Sequence, residues 1–124
     1  MKRLISAIIL LIFVLSAYLT GYFYINTTCE KANKMLTSCE KAYNANENAE
    51  KYAKKLEKFW SDAEKPLSLF ANHSEIDEIE LAIHTLKIYS KTSEKEIFNE
   101  YSGTVKTLIH QLIEDTVPSV HSIF

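Results

Sequence analysis

Glycine and proline are scarce in this sequence. Its 124 residues include two of each, Gly21, Gly103, Pro66 and Pro118. Sheet proteins need a turn every few residues, and turns are built largely from Gly, Pro, Asn and Asp. The scarcity therefore argues against a β-rich fold and predicts long helices joined by few loops. It also argues against a glycine-rich phosphate-binding loop, which needs glycines at close spacing.

Arginine is almost absent, since Arg3 is the single arginine among 14 basic residues. Lys2 and Arg3 precede a long apolar segment, and the rest of the chain has 12 basic against 16 acidic residues, a net charge of −4. Proteins that bind nucleic acids concentrate positive charge and use arginine for bidentate contacts with phosphates and bases. We therefore expect no nucleic-acid partner.

Catalytic motifs are also missing. The sequence contains no nucleophile elbow, no dinucleotide-binding fingerprint and no zinc-protease helix. We therefore expect no enzymatic activity and no cofactor. The length is that of one domain.

A long uncharged segment lies near the N-terminus. Residues 4–25 contain no charged side chain, and 13 of these 22 residues are Leu, Ile, Val or Phe. As a helix the segment spans about 33 Å, enough to cross the hydrocarbon core of a bilayer, about 30 Å thick. The sequence predicts a basic cap at residues 1–3, a transmembrane anchor at 4–25 and an extramembrane domain at 26–124. Aromatic residues at the far end resemble an interfacial belt: Tyr18, Tyr22, Phe23 and Tyr24.

Two alternatives to a permanent anchor stay open. A cleaved signal peptide has a shorter apolar core and a small-residue cleavage site, whereas Val14 and Ser16 form only a weak site inside the run. A lipoprotein would need an aliphatic residue shortly before the modified cysteine, but residues 26–28, which precede Cys29, are Asn-Thr-Thr. The anchor is the preferred interpretation.

The orientation of the anchor is read from the flanking charges. Lys2 and Arg3 favour a single-pass plasma-membrane protein with a cytoplasmic N-terminus and an extracytoplasmic domain. Three lysines soon after the segment nearly balance the positive charge that precedes it: Lys31, Lys34 and Lys41.

Beyond the anchor, apolar residues recur every three or four positions, the spacing of one helix face. A first stripe consists of Cys29, Ala32, Leu36, Cys39 and Tyr43. A second stripe follows with a change of phase: Ala42, Ala45, Ala49, Tyr52, Leu56, Phe59 and Ala63. We predict one long helix over residues 28–65, continuous with the anchor. Its weak point is the asparagine-rich stretch 44–48, where poor helix formers could admit a kink.

Two shorter helices are predicted after Pro66, which should end or redirect the long helix. Ser74 is the expected cap of the first, and Ser93 with Glu96 forms a capping box for the second. The fold prediction is all-α: an N-terminal transmembrane helix continues into a long helix that packs with two shorter antiparallel helices. The sequence Val117-Pro118 should close the last helix and leave an apolar tail.

The long helix exceeds its two partners, so part of its apolar stripe should pack on another surface. A homodimeric coiled coil or another envelope membrane protein could supply that surface. Cys29 and Cys39 lie on the stripe about 15 Å apart, beyond the reach of an intrachain disulfide. Packed thiols are the ordinary interpretation, and a symmetric interchain disulfide is the alternative.

One polar group on the second helix has the residue types of a metal site. The side chains fall within about 60° of one another around the helix axis: His73, Asp77, Glu80 and His84. Histidine and carboxylate at such spacing bind divalent transition metals. The competing interpretation is a solvated polar face, because the group lies nearly opposite the apolar face.

The whole pattern resembles the domain-of-unknown-function family 4363, small membrane-anchored proteins of spore-forming Gram-positive bacteria. The resemblance depends on the single span, Phe59-Trp60, Pro66-Leu67, residues 72–77 (Asn-His-Ser-Glu-Ile-Asp) and the terminal Ser-Ile-Phe. It implies a bacterial plasma-membrane protein and supplies no activity and no functional residues.

Two functions remain after these exclusions. The preferred one is a structural or protein-interaction role at the cell envelope, with a membrane-tethered helical domain that pairs with itself or with another envelope protein. The alternative is a metal or small-ligand binding module that uses the His/Asp/Glu group of the second helix.

Overall fold

The computed structural model describes residues 1–116, and the regular structure in this range is helical throughout. It consists of α1 (Lys2–Asn44), α2 (Ala49–Leu67), α3 (His73–Tyr89) and α4 (Lys95–Thr116). The predicted all-α fold, with a long N-terminal helix that packs against shorter helices, is confirmed. The predicted closure at Val117-Pro118 and the apolar tail lie outside the described residues.

The chain runs up and down in a four-helix bundle. Consecutive helices are antiparallel neighbours, and α4 returns to pack against α1. Only residues 21–44 of α1 take part, because Gly21 is its first buried residue. We call residues 21–116 the head and residues 4–20 the apolar segment. One end of the head lies beside the apolar segment, and the opposite end carries the turns at 44–48 and 90–94.

The predicted continuous helix over residues 28–65 is wrong, because the chain turns back after Asn44. Asn46 has a φ of 57°, in the left-handed region that asparagine tolerates better than most residues. The Glu47 N–H donates to the Ala42 carbonyl and the Asn46 N–H to the Tyr43 carbonyl, the bond pair of a Schellman motif. Asn48 then caps α2 by accepting from the Lys51 N–H at 3.3 Å. Where the sequence predicts a kink, the chain makes a complete turn.

The turn changes how the apolar stripes are used. Most of the second stripe is covered by the other helices of the same chain. Its members Ala49 and Leu56 are at most 2% exposed, and Ala63 is 7% exposed. Small residues on both helices let α1 and α2 pack closely: Ala32, Ala42, Ala49, Ala53 and Ala63. The expectation of an unpaired stripe on the long helix is therefore wrong.

Two aromatic side chains fill most of the centre of the bundle. Trp60 is fully buried and donates its indole N–H to the Ile76 carbonyl at 3.1 Å, which ties α2 to α3. Phe98 stacks on Tyr43 with ring centroids 3.8 Å apart, and the Tyr43 hydroxyl donates to the Thr92 carbonyl. Trp60 thus links two consecutive helices, and Phe98 links α4 to α1, at the other end of the chain.

The end of α2 and the start of α3 lie within two residues of the predicted positions. The helix α2 continues one residue beyond Pro66 and ends at Leu67. The cap of α3 is Asn72 and not Ser74, since the Asn72 Oδ1 accepts from the Ser74 N–H at 2.9 Å. Asparagine and serine are both good caps, and the position two residues earlier leaves His73 as the first helical residue.

Candidate functional site

The first half of α1 differs from every other part of the described chain because it has no protein neighbour. All residues from 2 to 20 are exposed. Its large apolar side chains include Leu4, Ile8, Leu11 and Leu15, each about half exposed or more. Among the helices of residues 1–116, α1 is the one long and apolar enough to cross a membrane.

One polar group of the apolar segment is satisfied within the helix. The Thr20 hydroxyl donates to the Ser16 carbonyl at 2.8 Å. A hydroxyl bonded in this way costs little in a low-polarity environment. Thr20 is therefore compatible with an apolar environment.

The junction between the apolar segment and the head is formed by Gly21 and Phe70. A Cβ atom at Gly21 would fall within 2.8 Å of the Phe70 Cγ atom, so the ring lies directly on the helix backbone. Phe70 belongs to the loop between α2 and α3, residues 68–72. This loop therefore marks the end of the head that lies beside the apolar segment.

The structure separates the predicted metal ligands into two sets. The His73 Nε2 atom is 3.4 Å from the Asp77 Oδ2 atom, an exposed pair on the first turns of α3. His84 lies further along α3 and pairs instead with Glu57 of α2, with 2.8 Å between Nδ1 and Oε2. Glu80 is close to Asp77. The metal site formed by all four residues stays a prediction.

A carboxylate of α2 joins Asp77 and Glu80. Oxygen atoms of Glu64, Asp77 and Glu80 lie within 4.8 Å of one another. Partial burial, a hydrogen bond with Glu80 and the charges of Glu80 and Asp77 raise the pKa of Glu64 to about 7. The proton that Glu64 retains relieves the repulsion between like charges at this distance. The sequence analysis missed Glu64 because its approach to α3 follows from the turn at 44–48.

A second acidic contact joins α3 to α4 at the end of the head beside the apolar segment. Glu75 forms a side-chain hydrogen bond with Asp115, which, with partial burial and the charges of Asp115 and Glu78, raises the pKa of Glu75 to about 7. The head thus carries two carboxyl pairs that retain a proton near neutral pH.

Glu57 is the centre of the strongest ion-pair group between α2 and α3. It accepts from the Lys87 Nζ at 2.8 Å and pairs with His84 on its other oxygen. Partial burial favours the neutral carboxyl, but the contacts with Lys87 and His84 outweigh it and lower the pKa of Glu57. In this arrangement His84 is a structural partner of Glu57.

Both cysteines are free and fully buried on the inner face of α1. Burial raises the pKa of the Cys29 thiol to about 12, and burial together with Glu40 raises that of Cys39 to about 11. The Cys39 thiol donates to the Ala49 carbonyl at 3.5 Å. The structure therefore agrees with the ordinary interpretation of the sequence, in which both cysteines are packed thiols.

Comparison with known proteins adds the family and no activity. No curated protein and no solved structure is significantly similar to the chain. The model of one family, described as a domain of unknown function (DUF4363), matches residues 19–123. That range begins at the end of the apolar segment and includes all four helices of the head. The chain belongs to this DUF4363 family.

Proposed function

We propose that the protein is a single-pass membrane protein whose four-helix head acts as a structural or interaction module at the bacterial cell envelope. One observation carries this proposal: residues 4–20 extend from the head as a fully exposed apolar helix. The head uses α1 only from Gly21 onward, so a different apolar environment must cover the first half. A bilayer supplies that environment.

The free energy of insertion supports a bilayer. Residues 4–19 contain 11 Leu, Ile, Val or Phe side chains. At about −0.3 to −0.6 kcal/mol each, they favour insertion by about 3 to 7 kcal/mol. The polar residues of the segment are hydroxyl-bearing and lower this value only slightly. Insertion is therefore favourable without help from the head.

Membrane fractionation tests the anchor. We expect the intact chain, beginning at Met1, in a membrane pellet that alkaline carbonate does not extract. A variant with Ile8→Lys and Ile12→Lys should leave the pellet, because lysines at the centre of a span each cost about 2.5 to 3.5 kcal/mol. Lys55→Glu on the exposed face of α2 is the matched control. A soluble chain that has lost its first residues would mean a cleaved signal peptide and would contradict the proposal.

The head is proposed to face the extracytoplasmic side, which the basic residues Lys2 and Arg3 favour. Ser93 lies exposed at the far end of the head and is a suitable position for a reporter. The S93C variant in intact cells should react with a membrane-impermeant maleimide, and the buried native thiols should give little background. Reaction only after cell lysis would reverse the orientation.

The interaction role is tested on α3. Leu81 and Ile88 lie seven residues apart on one face of α3, and both are exposed apolar side chains on the head. A photo-crosslinker at Leu81 in membranes should capture a second copy or another envelope membrane protein, and one at Lys55 should capture less. A head that stays monomeric without crosslinked products from Leu81 would remove the interaction role while leaving the anchor intact.

The alternative function, a metal or small-ligand module, is supported by the carboxylate oxygens that α2 and α3 bring together. Titration calorimetry of the full chain in detergent with zinc, nickel and manganese separates the two functions. Heat that Glu80→Gln abolishes would favour the alternative. Absence of heat with all three metals would remove metal binding by the His/Asp/Glu group.

A further inference from the structure

The 68–72 loop combines exposure, apolar character and contact with the apolar segment. Leu69 is 78% exposed and Phe70 is 42% exposed, although Phe70 also rests on Gly21. The sequence has no Asp, Glu, Lys or Arg between Lys65 and Glu75. This loop therefore extends the lipid-compatible surface of α1 sideways onto the head.

The opposite end of the head has the reverse character. Its two turns expose Asn46, Glu47, Lys91 and Ser93, which are polar or charged. Both ends are built from short connections between helices, so the contrast does not follow from loop structure alone. The apolar residues are concentrated at the end beside the anchor.

The length of the apolar segment brings this end close to the bilayer. Residues 4–20 rise about 26 Å as a helix, slightly less than the hydrocarbon core of about 30 Å. The first residues of the head, beginning at Gly21, must therefore lie at the membrane surface. No spacer separates the head from the lipid, because α1 continues through this point as an unbroken helix.

The backbone of the loop is also prepared for a low-polarity environment. The N–H groups of residues 68–71 donate to carbonyls of the last turn of α2, at distances of 2.9 to 3.2 Å. The Ser68 hydroxyl donates to the Lys65 carbonyl at 2.6 Å. Unpaired N–H groups are the main obstacle to moving a loop out of water, and those of residues 68–71 are paired.

We propose that the 68–72 loop is a second membrane contact, in which Leu69 and Phe70 enter the interfacial layer of the bilayer that holds residues 4–20. This inference rests on the proposed anchor. The contact fixes the head flush against the lipid surface, with the axis of the bundle close to that of the anchor. The loop has no basic side chain, and the first charged residue after it is the acidic Glu75. The contact therefore depends on apolar insertion and not on attraction to anionic headgroups.

Fluorescence in vesicles tests the contact. The full-length L69C variant is labelled with an environment-sensitive maleimide dye and reconstituted in phosphatidylcholine vesicles. S93C, at the far end of the same head, is the matched control, and the wild-type chain measures labelling of the native thiols. We expect the emission of the dye at position 69 to shift to shorter wavelength and to lose most of its intensity with lipids that carry a nitroxide near the headgroup. The dye at position 93 should show neither change.

A second readout avoids the apolar dye. In the same vesicles, the L69C thiol should react several-fold more slowly than the S93C thiol with a charged, water-soluble thiol reagent. In detergent-free urea the two rates should become similar. Because Leu69 is mostly exposed within the head, its replacement leaves the packing of the bundle intact.

The outcomes separate this inference from the proposed anchor. Equal fluorescence and equal reaction rates at positions 69 and 93, in protein that carbonate does not extract, would overturn the second contact and leave the anchor standing. Protein that does not remain with the vesicles would overturn both. Protection of position 69 in vesicle-bound protein supports the contact.

Discussion

The ring of Phe70 lies on the backbone of Gly21, so close that a side chain at position 21 would overlap it. Glycine is required there by close approach, since Gly21 is helical and has an ordinary negative φ. Through this contact the turn between α2 and α3 is held at the level where α1 leaves the head. The position of this turn relative to the apolar segment therefore depends on the absence of a side chain at position 21.

Gly21→Ala should destabilise the head. The added Cβ must displace the Phe70 ring, and overpacking of this kind costs about 1 to 3 kcal/mol. Thermal unfolding of the full chain in detergent, followed by helical circular dichroism, should show a lower Tm. In the background of Phe70→Ala the same substitution should cost much less, because the ring is gone.

Gly103→Ala is the matched control, because Gly103 is helical but its Cβ would meet nothing within 4 Å. Alanine is a better helix former than glycine, so this variant should be stabilised by about 0.5 to 1 kcal/mol. Opposite signs for the two glycines are the expected result. Equal stabilisation at both positions would contradict the contact between Gly21 and Phe70.

Asn46→Ala should destabilise the α1–α2 turn, and Asn46→Gly should not. The positive φ of Asn46 costs about 1 kcal/mol more for alanine than for asparagine or glycine. The free energy of unfolding in urea distinguishes the two substitutions. If the chain formed one straight helix through this region, alanine would instead be the more stable variant, so the sign of the difference tests the turn itself.

The helix faces of the head could be predicted from the sequence, because burial follows the 3.6-residue period. The apolar residues that recur at helical spacing along α3, such as Ile76, Ile79 and Ile83, are fully buried. The sequence predicts only a kink near Asn46, and not a complete turn, for a physical reason. Apolar residues at helical spacing and charge pairs occur on both sides of the turn. One long helix and two shorter helices agree equally well with this pattern. The change of phase between the two stripes reflects the turn, because the first stripe lies on α1 and the second, from Ala49 onward, lies on α2.

The candidate site could be predicted only where its residues share one helix. His73, Asp77, Glu80 and His84 are visible as one stripe of α3 in the sequence. Their partners Glu57 and Glu64 come from α2, and only the antiparallel packing of α2 on α3 brings them within contact distance. Local periodicity carries no information on that packing. For the same reason, the contact between Phe70 and Gly21, 49 residues apart, could not be foreseen.

The native thiols should be unreactive in the folded head. Thiolate is the reacting form, and burial raises the pKa of Cys29 to about 12 and that of Cys39 to about 11. At pH 8 we expect no labelling by a maleimide before unfolding and two labels per chain after it. T37C, on the exposed face of α1, is the matched control and should be labelled at once. A disulfide-linked dimer on a non-reducing gel would require an opened bundle and would contradict the structure.

The head should lose stability as the pH rises from about 4.5 to about 7. The pKa of Glu64 and that of Glu75 are both raised to about 7 in the folded head, by burial and by the contacts with Glu80 and Asp115. In this window the unfolded chain releases protons that the folded head retains, so folding becomes less favourable with increasing pH. Below about pH 4.5 both states are protonated at these groups and their stabilisation is fully present.

Glu64→Gln separates this effect from the general titration of the surface. The amide stands in for the protonated carboxyl, so the variant should be more stable than the wild-type chain at pH 8 and close to it at pH 5. Glu94→Gln, at the far end of the head, is the matched control and should keep the wild-type pH dependence. Because Glu75 titrates in the same direction, Glu64→Gln should remove only part of the slope, and a second substitution, Glu75→Gln, should remove much of the remainder. A free energy of unfolding that rises between pH 5 and pH 7 in the wild-type chain would show that these carboxyls do not hold their protons in the folded head.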